Sequence, residues 1–87
     1  MFNKTKYYND GGKYVGQFYN DKRHGRGTYY YANGARYEGD WYEGNKHGYG
    51  TYYYSSGNLY EGEWKNNERC GKGTFFFSNG SRYEGEF

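Results

Sequence analysis

His24, His47 and Cys70 stand 23 residues apart at matching places in the chain, and His/Cys sets are what zinc sites are built from. If two strands lie between matching places, those places are about 9.5 Å apart, whereas ligands sit within roughly 2.0–2.3 Å of one ion. The spacing argues for loop residues that brace turns, and no metal is expected. Carboxylates also come in pairs, Glu38/Asp40, Glu61/Glu63 and Glu84/Glu86. Two positions apart on a strand, they share a face at about 6.5–7 Å, a separation that glycoside hydrolysis can use. Here the pair recurs on an open strand surface with no asymmetry to split the two pKa values, so solvation and cross-strand pairing are the expected roles. No Ser/His/Asp set or phosphate-cradling loop is present, and the Gly-x-Gly pieces lead into no helix. The chain is expected to be non-catalytic and to need no cofactor.

Lys22, Arg23, Arg26, Lys46, Arg69 and Lys72 recur at the same part of the repeating pattern and are expected along one edge of a sheet. Such an edge suits the headgroups of an acidic phospholipid surface. Asp21, Glu43 and Glu68 offset part of that charge, so a solubilising edge is the bland reading of the same residues. The whole chain carries a net charge of only +2 and sets its acids on one face, which argues against nucleic acid. Glycans or small cations would call for three rings converging on one point, and nothing in the pattern provides that.

The elements that must hold these residues are repeats. Tyr37–Leu59 (YEGDWYEGNKHGYGTYYYSSGNL) is preceded by Tyr14–Arg36 (YVGQFYNDKRHGRGTYYYANGAR) and followed by Tyr60–Arg82 (YEGEWKNNERCGKGTFFFSNGSR). Self-similarity at a fixed period marks units that bury their apolar surface against their neighbours. Residues 1–13 read as the second half of a repeat and 83–87 as the first half of another, so the three whole units, 14–36, 37–59 and 60–82, form one continuous domain with them. An array that stops inside a motif suggests either a piece of a longer protein or a strand edge left bare.

Each unit has two strand-like segments rich in aromatics and bounded by Gly, Asn and Ser. Asn33-Gly34 and Asn79-Gly80 signal two-residue type I′ hairpins, with Ser56-Gly57 a poorer version, while the connection Tyr42–His47 looks longer. The expectation is an all-β fold, a single elongated antiparallel meander of stacked 23-residue hairpins with about eight strands. If Ala32 pairs with Ala35, then Tyr30 faces Tyr37, and alternation collects an aromatic row: Tyr14, Phe18, Tyr37, Trp41, Tyr60, Trp64, Tyr83 and Phe87, with Tyr30, Tyr53 and Phe76 beside it. These eleven are the expected lining of a groove. Glu38, Asp40, Tyr29 and Tyr31 would fall on the other face.

The string YEGEW, followed by Gly-x-Gly-Thr and then by Asn-Gly before the next Tyr-x-Gly, resembles the MORN (membrane occupation and recognition nexus) repeat, and the similarity covers essentially the whole chain. The resemblance implies elongated antiparallel sheets of stacked hairpins. It also implies scaffold or adaptor roles at membranes, cytoskeletal structures and cilia. Val15, Phe18 and Cys70 depart from the pattern.

Fifteen Tyr, six Phe and two Trp supply almost all the large apolar area, against one Leu and one Val. Tyr and Trp have polar tips that suit a half-wet surface, so much of that area should await a partner. The expected partner is a protein segment, either an amphipathic helix or an extended peptide lying along the groove. Acidic phospholipid is the alternative, and bare outer strands at Thr5–Tyr8 and Tyr83–Phe87 add edge-to-edge self-association. No apolar run approaches the roughly 20 residues of a membrane span and no secretory h-region opens the chain, so a cytoplasmic setting is expected, cytoskeletal, ciliary or peripheral to a membrane.

Overall fold

The computed structural model describes residues 2–87, with side chains from Asn3 onward; Met1, the first residue of the leading half repeat, lies outside the described residues. Eight strands follow in chain order: β1 (Phe2–Tyr7), β2 (Lys13–Tyr19), β3 (Lys22–Tyr30), β4 (Arg36–Tyr42), β5 (Asn45–Tyr53), β6 (Leu59–Lys65), β7 (Glu68–Phe76) and β8 (Arg82–Glu86). Each pairs antiparallel with the next, so sheet order equals sequence order. The result is the expected all-β meander, measuring 38 × 25 × 16 Å. Among the described residues no helix is long and apolar enough to cross a membrane.

The two kinds of connection are the reverse of those expected. Asn33-Gly34 is not a two-residue turn. Tyr31 N–H donates to the Ala35 carbonyl at 2.9 Å and Gly34 N–H to the Tyr31 carbonyl at 3.1 Å, which closes a three-residue loop of Ala32, Asn33 and Gly34. Only the glycine has positive φ, at 95°. This is the type I turn with a left-handed residue in the bulge position, and it asks for glycine at one place only. Asn33 serves through its side chain, whose Oδ1 accepts the Ala35 N–H at 2.9 Å. The connection that looked longer is the tight one: Glu43 and Gly44 have φ of 48° and 88°, and Asn20-Asp21 and Asn66-Asn67 match them at 50° and 63°, and at 50° and 71°. Positive φ at both central residues is what a type I′ turn needs, and Asn and Asp tolerate it better than most.

A loop one residue longer moves the register by one. Tyr29, not Tyr30, lies opposite Tyr37; Thr28 lies opposite Glu38 and Gly27 opposite Gly39. Because side chains alternate, that single step moves the odd-numbered residues of β3 onto the face of Tyr37 and Trp41. Hence Tyr30, Tyr53 and Phe76 leave the expected groove for the opposite face. There Tyr30 lies 4.7 Å from the Lys13 ammonium and Tyr53 lies 3.7 Å from the Arg36 guanidinium. Their places are taken by Tyr29, Tyr52 and Phe75.

Across every second hairpin the ladder is also interrupted by a bulge, for instance between Gly39 and Trp41. Gly48, at φ 74°, sits there. The amide that the bulge turns away from the ladder is received by a side chain: Tyr49 N–H donates to Asp40 Oδ2 at 3.1 Å, Lys72 N–H to Glu63 Oε1 at 2.9 Å and Arg26 N–H to Gln17 Oε1 at 2.8 Å.

The core is a row of rings lying on glycines. Tyr14, Tyr37 and Tyr60 have no exposure at all, and Trp41 and Trp64 retain 5%. A Cβ added at Gly27, Gly50 or Gly73 would collide with the ring of Tyr14, Tyr37 or Tyr60 respectively. Each phenol donates to a carbonyl three residues on, Tyr37 to Asp40 at 2.9 Å and Tyr60 to Glu63 at 3.0 Å. The tryptophans stand edge-on to the tyrosines, with Trp41 at 5.1 Å from Tyr37 and 5.5 Å from Tyr14, ring centre to ring centre. Their indole N–H groups reach back one hairpin, Trp41 to the Gly27 carbonyl at 3.1 Å and Trp64 to that of Gly50 at 3.2 Å. A one-layer sheet thus buries its own aromatic row without a second layer, because the missing glycine side chains let the rings lie down.

Candidate functional site

The face that carries this core, hereafter the ring face, presents a further layer outward. Tyr31 packs beside Tyr29 at 4.7 Å, Tyr54 beside Tyr52 at 4.6 Å and Phe77 beside Phe75 at 4.8 Å, each pair two residues apart on one strand or just past its end. Tyr8 joins Tyr29 at 5.4 Å. Tyr8, Tyr31 and Tyr54 are half-buried and Phe77 is exposed; beneath them Tyr29 is buried and Tyr52 and Phe75 are half-buried. At the β8 end the first row opens, leaving Tyr83 at 48% and Phe87 at 38% exposure. Of the eleven rings expected to line a groove, Tyr14, Phe18, Tyr37, Trp41, Tyr60 and Trp64 form the core, Tyr83 and Phe87 remain open, and Tyr30, Tyr53 and Phe76 lie on the far side.

Sequence reasoning misses Tyr8, Tyr31, Tyr54 and Phe77. The signal for them lies in the loops: glycine occupies one place in all four, Gly11, Gly34, Gly57 and Gly80, while the residue before it varies between Asp, Asn and Ser. A turn that needed two positive φ values would restrict both places.

The six cations expected along one loop edge are divided between the faces and lie on strands β3, β5 and β7. Lys22, Arg26 and Lys72 point to the far side, where Arg26 pairs with Asp40 at 2.9 Å. Arg23, Lys46 and Arg69, one per repeat, lie over the rings. Arg23 stands 4.9 Å from the Trp41 ring and 5.0 Å from that of Tyr29. Lys46 is 5.4 Å from Trp64 and donates to the Tyr31 hydroxyl at 3.1 Å, and Arg69 is 5.5 Å from Phe75. Arg23 and Lys46 are half-buried and Arg69 is exposed, and attraction to the ring faces offsets part of the cost of desolvating the first two. The cost still shows, since burial and the neighbouring Arg23 pull the Lys46 ammonium below its usual lysine range. Arg23 also places its guanidinium on the Gly44 carbonyl at 2.9 Å, but its Nε is buried with no acceptor.

Two hollows on this face, of about 680 Å³ and 290 Å³, adjoin over the rings with Lys46 and Asn67 in the walls of both, and together make up the groove. Burial pushes the Tyr14 phenol up to about 12, against the opposing pull of Arg23, and raises those of Tyr37 and Tyr31 as well. These phenols are therefore neutral packing and hydrogen-bonding groups in ordinary conditions.

The far side holds the residues that first suggested chemistry. His24 lies between Tyr19 and Tyr42, at 5.5 and 5.0 Å, and its Nδ1 accepts the Glu43 N–H at 3.2 Å. His47 packs on Tyr42 at 5.5 Å. Asp40 and Glu63 are committed to the bulge amides, and Arg36 bonds Glu38 at 2.9 Å.

Fold and face together define a tandem-hairpin repeat protein whose aromatic surface runs across the strands. A model of the MORN repeat matches three times in tandem, over residues 14–36, 37–59 and 60–82, and the chain belongs to the MORN repeat family. No curated protein matches it. MORN repeats are commonly protein- or membrane-associated modules.

Proposed function

We propose that this chain is a non-catalytic scaffold or adaptor module that docks a protein segment along its ring face, within a cytoplasmic assembly of cytoskeletal, ciliary or membrane-associated type. The observation that carries the reading is the second ring layer. Tyr8, Tyr31 and Tyr54 pack on the outer side of the core and Phe77 lies beside Phe75, and none of the four is fully covered by the described residues. Half-open rings ranged along one face, Tyr31 and Tyr54 among them in the groove wall, suit the anchors of a partner segment. The acidic-phospholipid alternative draws on Arg23, Lys46 and Arg69, but these lie over the rings instead of along a continuous basic edge.

A photoreactive phenylalanine at position 54 should crosslink to one polypeptide in cells that make the parent protein, and the adduct should disappear with Tyr31→Ala. The same probe at position 53, on the far side, should give none. Equal crosslinking from both positions, or adducts to lipid alone, would overturn the reading. Sedimentation with anionic vesicles that survives Tyr31→Ala and Tyr54→Ala would favour lipid. The tryptophans are unsuitable probes here, because truncating either one opens the core.

A further inference from the structure

The charges of the two faces are sorted. The ion pairs Arg26–Asp40, Arg36–Glu38 and Arg82–Glu84 all lie on the far side. On the ring face Arg23, Lys46 and Arg69 have no carboxylate partner among the described residues. Of the residues lining the groove, Glu68 alone carries negative charge. Three cations, Arg23 and Lys46 half-buried and Arg69 exposed, against one rim carboxylate make this groove electropositive where it runs over the rings, and the buried Nε of Arg23 has no acceptor. A partner that answers both features needs apolar side chains and carboxylates on the same surface.

The spacing narrows the partner's conformation. Arg23, Lys46 and Arg69 are one repeat apart, which is two strands or about 9.5 Å. Residues seven apart on an α-helix share a face and lie about 10.5 Å apart, so along the cation row three such positions depart from the three cations by only about 2 Å in all. An extended strand alternates its faces, and no even number of residues gives that distance. A polyproline II segment repeats every three residues at about 9.3 Å, close to the same period, but its backbone has no internal hydrogen bonds. Laid on rings, such a backbone loses water from its amides, and the two indoles in the groove wall, Trp41 and Trp64, already donate within the sheet. A helix satisfies its own backbone and asks of this surface only rings and cations.

We infer that the partner docked on the ring face is an acidic amphipathic α-helix lying across the strands, with carboxylates at one heptad position meeting Arg23, Lys46 and Arg69. The inference rests on the ring face being a docking surface.

The test uses designed helical peptides of about 22 residues with an apolar stripe and Glu at one heptad position three times, against versions with Gln or Lys there and one with Glu moved to the opposite face. Binding to the whole chain is read by fluorescence anisotropy. The Glu peptide should bind about tenfold more tightly than the Gln peptide at low salt, and raised salt should narrow the gap. Lys46→Glu should abolish the preference for Glu and favour the Lys peptide, Lys46→Gln should remove the preference with less strain on the fold, and Lys65→Glu on the far side should change neither. Equal binding of the Glu and Gln peptides would overturn the acidic inference while leaving the docking surface standing. Equal binding with Glu on the wrong face would overturn the heptad match. Absence of binding by every peptide would remove the docking surface and this inference with it. Anionic vesicles held through Lys46 when no peptide is held would assign the cations to a membrane instead.

Discussion

Gly50 and Gly44 are both glycines of one repeat, yet they are held for different reasons. A methyl at Gly50 would meet the Tyr37 ring, which has no exposure and no room to move, whereas Gly44 has nothing within 4 Å but has φ of 88°. Gly50→Ala is therefore expected to cost about 3 kcal/mol through overpacking. Gly44→Ala should cost about 1–2 kcal/mol through backbone strain. Urea midpoints of the two variants check the order, and near-ultraviolet circular dichroism should change only for Gly50→Ala. The buried phenols give a second expectation. With folded pKa values raised above the usual value near 10, Tyr14, Tyr37 and Tyr60 favour the folded state fully below that pH. Their contribution is lost as pH climbs from about 10 through the Tyr14 value of about 12. Lys46 works the other way, since its lowered value costs stability near neutrality and the cost fades as the pH rises toward that of a free lysine. With three buried phenols against one amine, the urea midpoint should fall above pH 10, and a tyrosinate absorbance titration should show a late-ionising class. A midpoint that holds steady to pH 12 would contradict the burial argument.

At the scale of strands and turns, much is legible in the amino-acid order alone. Aromatic runs punctuated by Gly, Asn and Ser give eight strands in meander order, and no competing helical period survives so many glycines. What is not legible is the loop length. Asn-Gly is a strong two-residue hairpin signal, but here the asparagine acts through its side chain and the flanking residue joins the loop. One residue of loop is one residue of register, and one residue of register exchanges the faces. So Tyr30, Tyr53 and Phe76 fall on the face opposite to the expected one, while Tyr14, Tyr37 and Trp41, whose places do not depend on that loop, share the face expected for them. The cations are hidden for a related reason: β3, β5 and β7 extend through the stretch that reads as loop, and only a strand sends Arg23 and Arg26 to opposite sides. The corrected turns make their own prediction. Asp21 has φ of 63° at the second position of a type I′ turn, where glycine is preferred. Asp21→Gly should therefore stabilise the fold by about 0.5–1 kcal/mol, measured as a higher urea midpoint, whereas Gly34→Asp should lower it.

Over the whole molecule, each strand pairs only with its sequence neighbours, and the sheet has two outer strands. The edge pairing expected from the sequence meets an obstacle at β1. Lys4 stands where later repeats have Gly27, Gly50 and Gly73, and Lys6 stands where they have Tyr29, Tyr52 and Phe75. An incoming tyrosine would find a side chain where it needs bare backbone, and inward-pointing lysine is a known guard on a strand edge. Light scattering should show the Lys4→Gly/Lys6→Tyr double variant associating at concentrations where the parent chain does not. No difference between them would mean that the edge is guarded by something else. The backward reach of each tryptophan has a consequence for how the chain comes into being. Trp41 is lodged on a carbonyl of the strand made just before its own, and Trp64 likewise, so every indole arrives from the ribosome after its berth has been built. Synthesis from the amino end thus lays the courses of this wall in the order in which each can rest on the last.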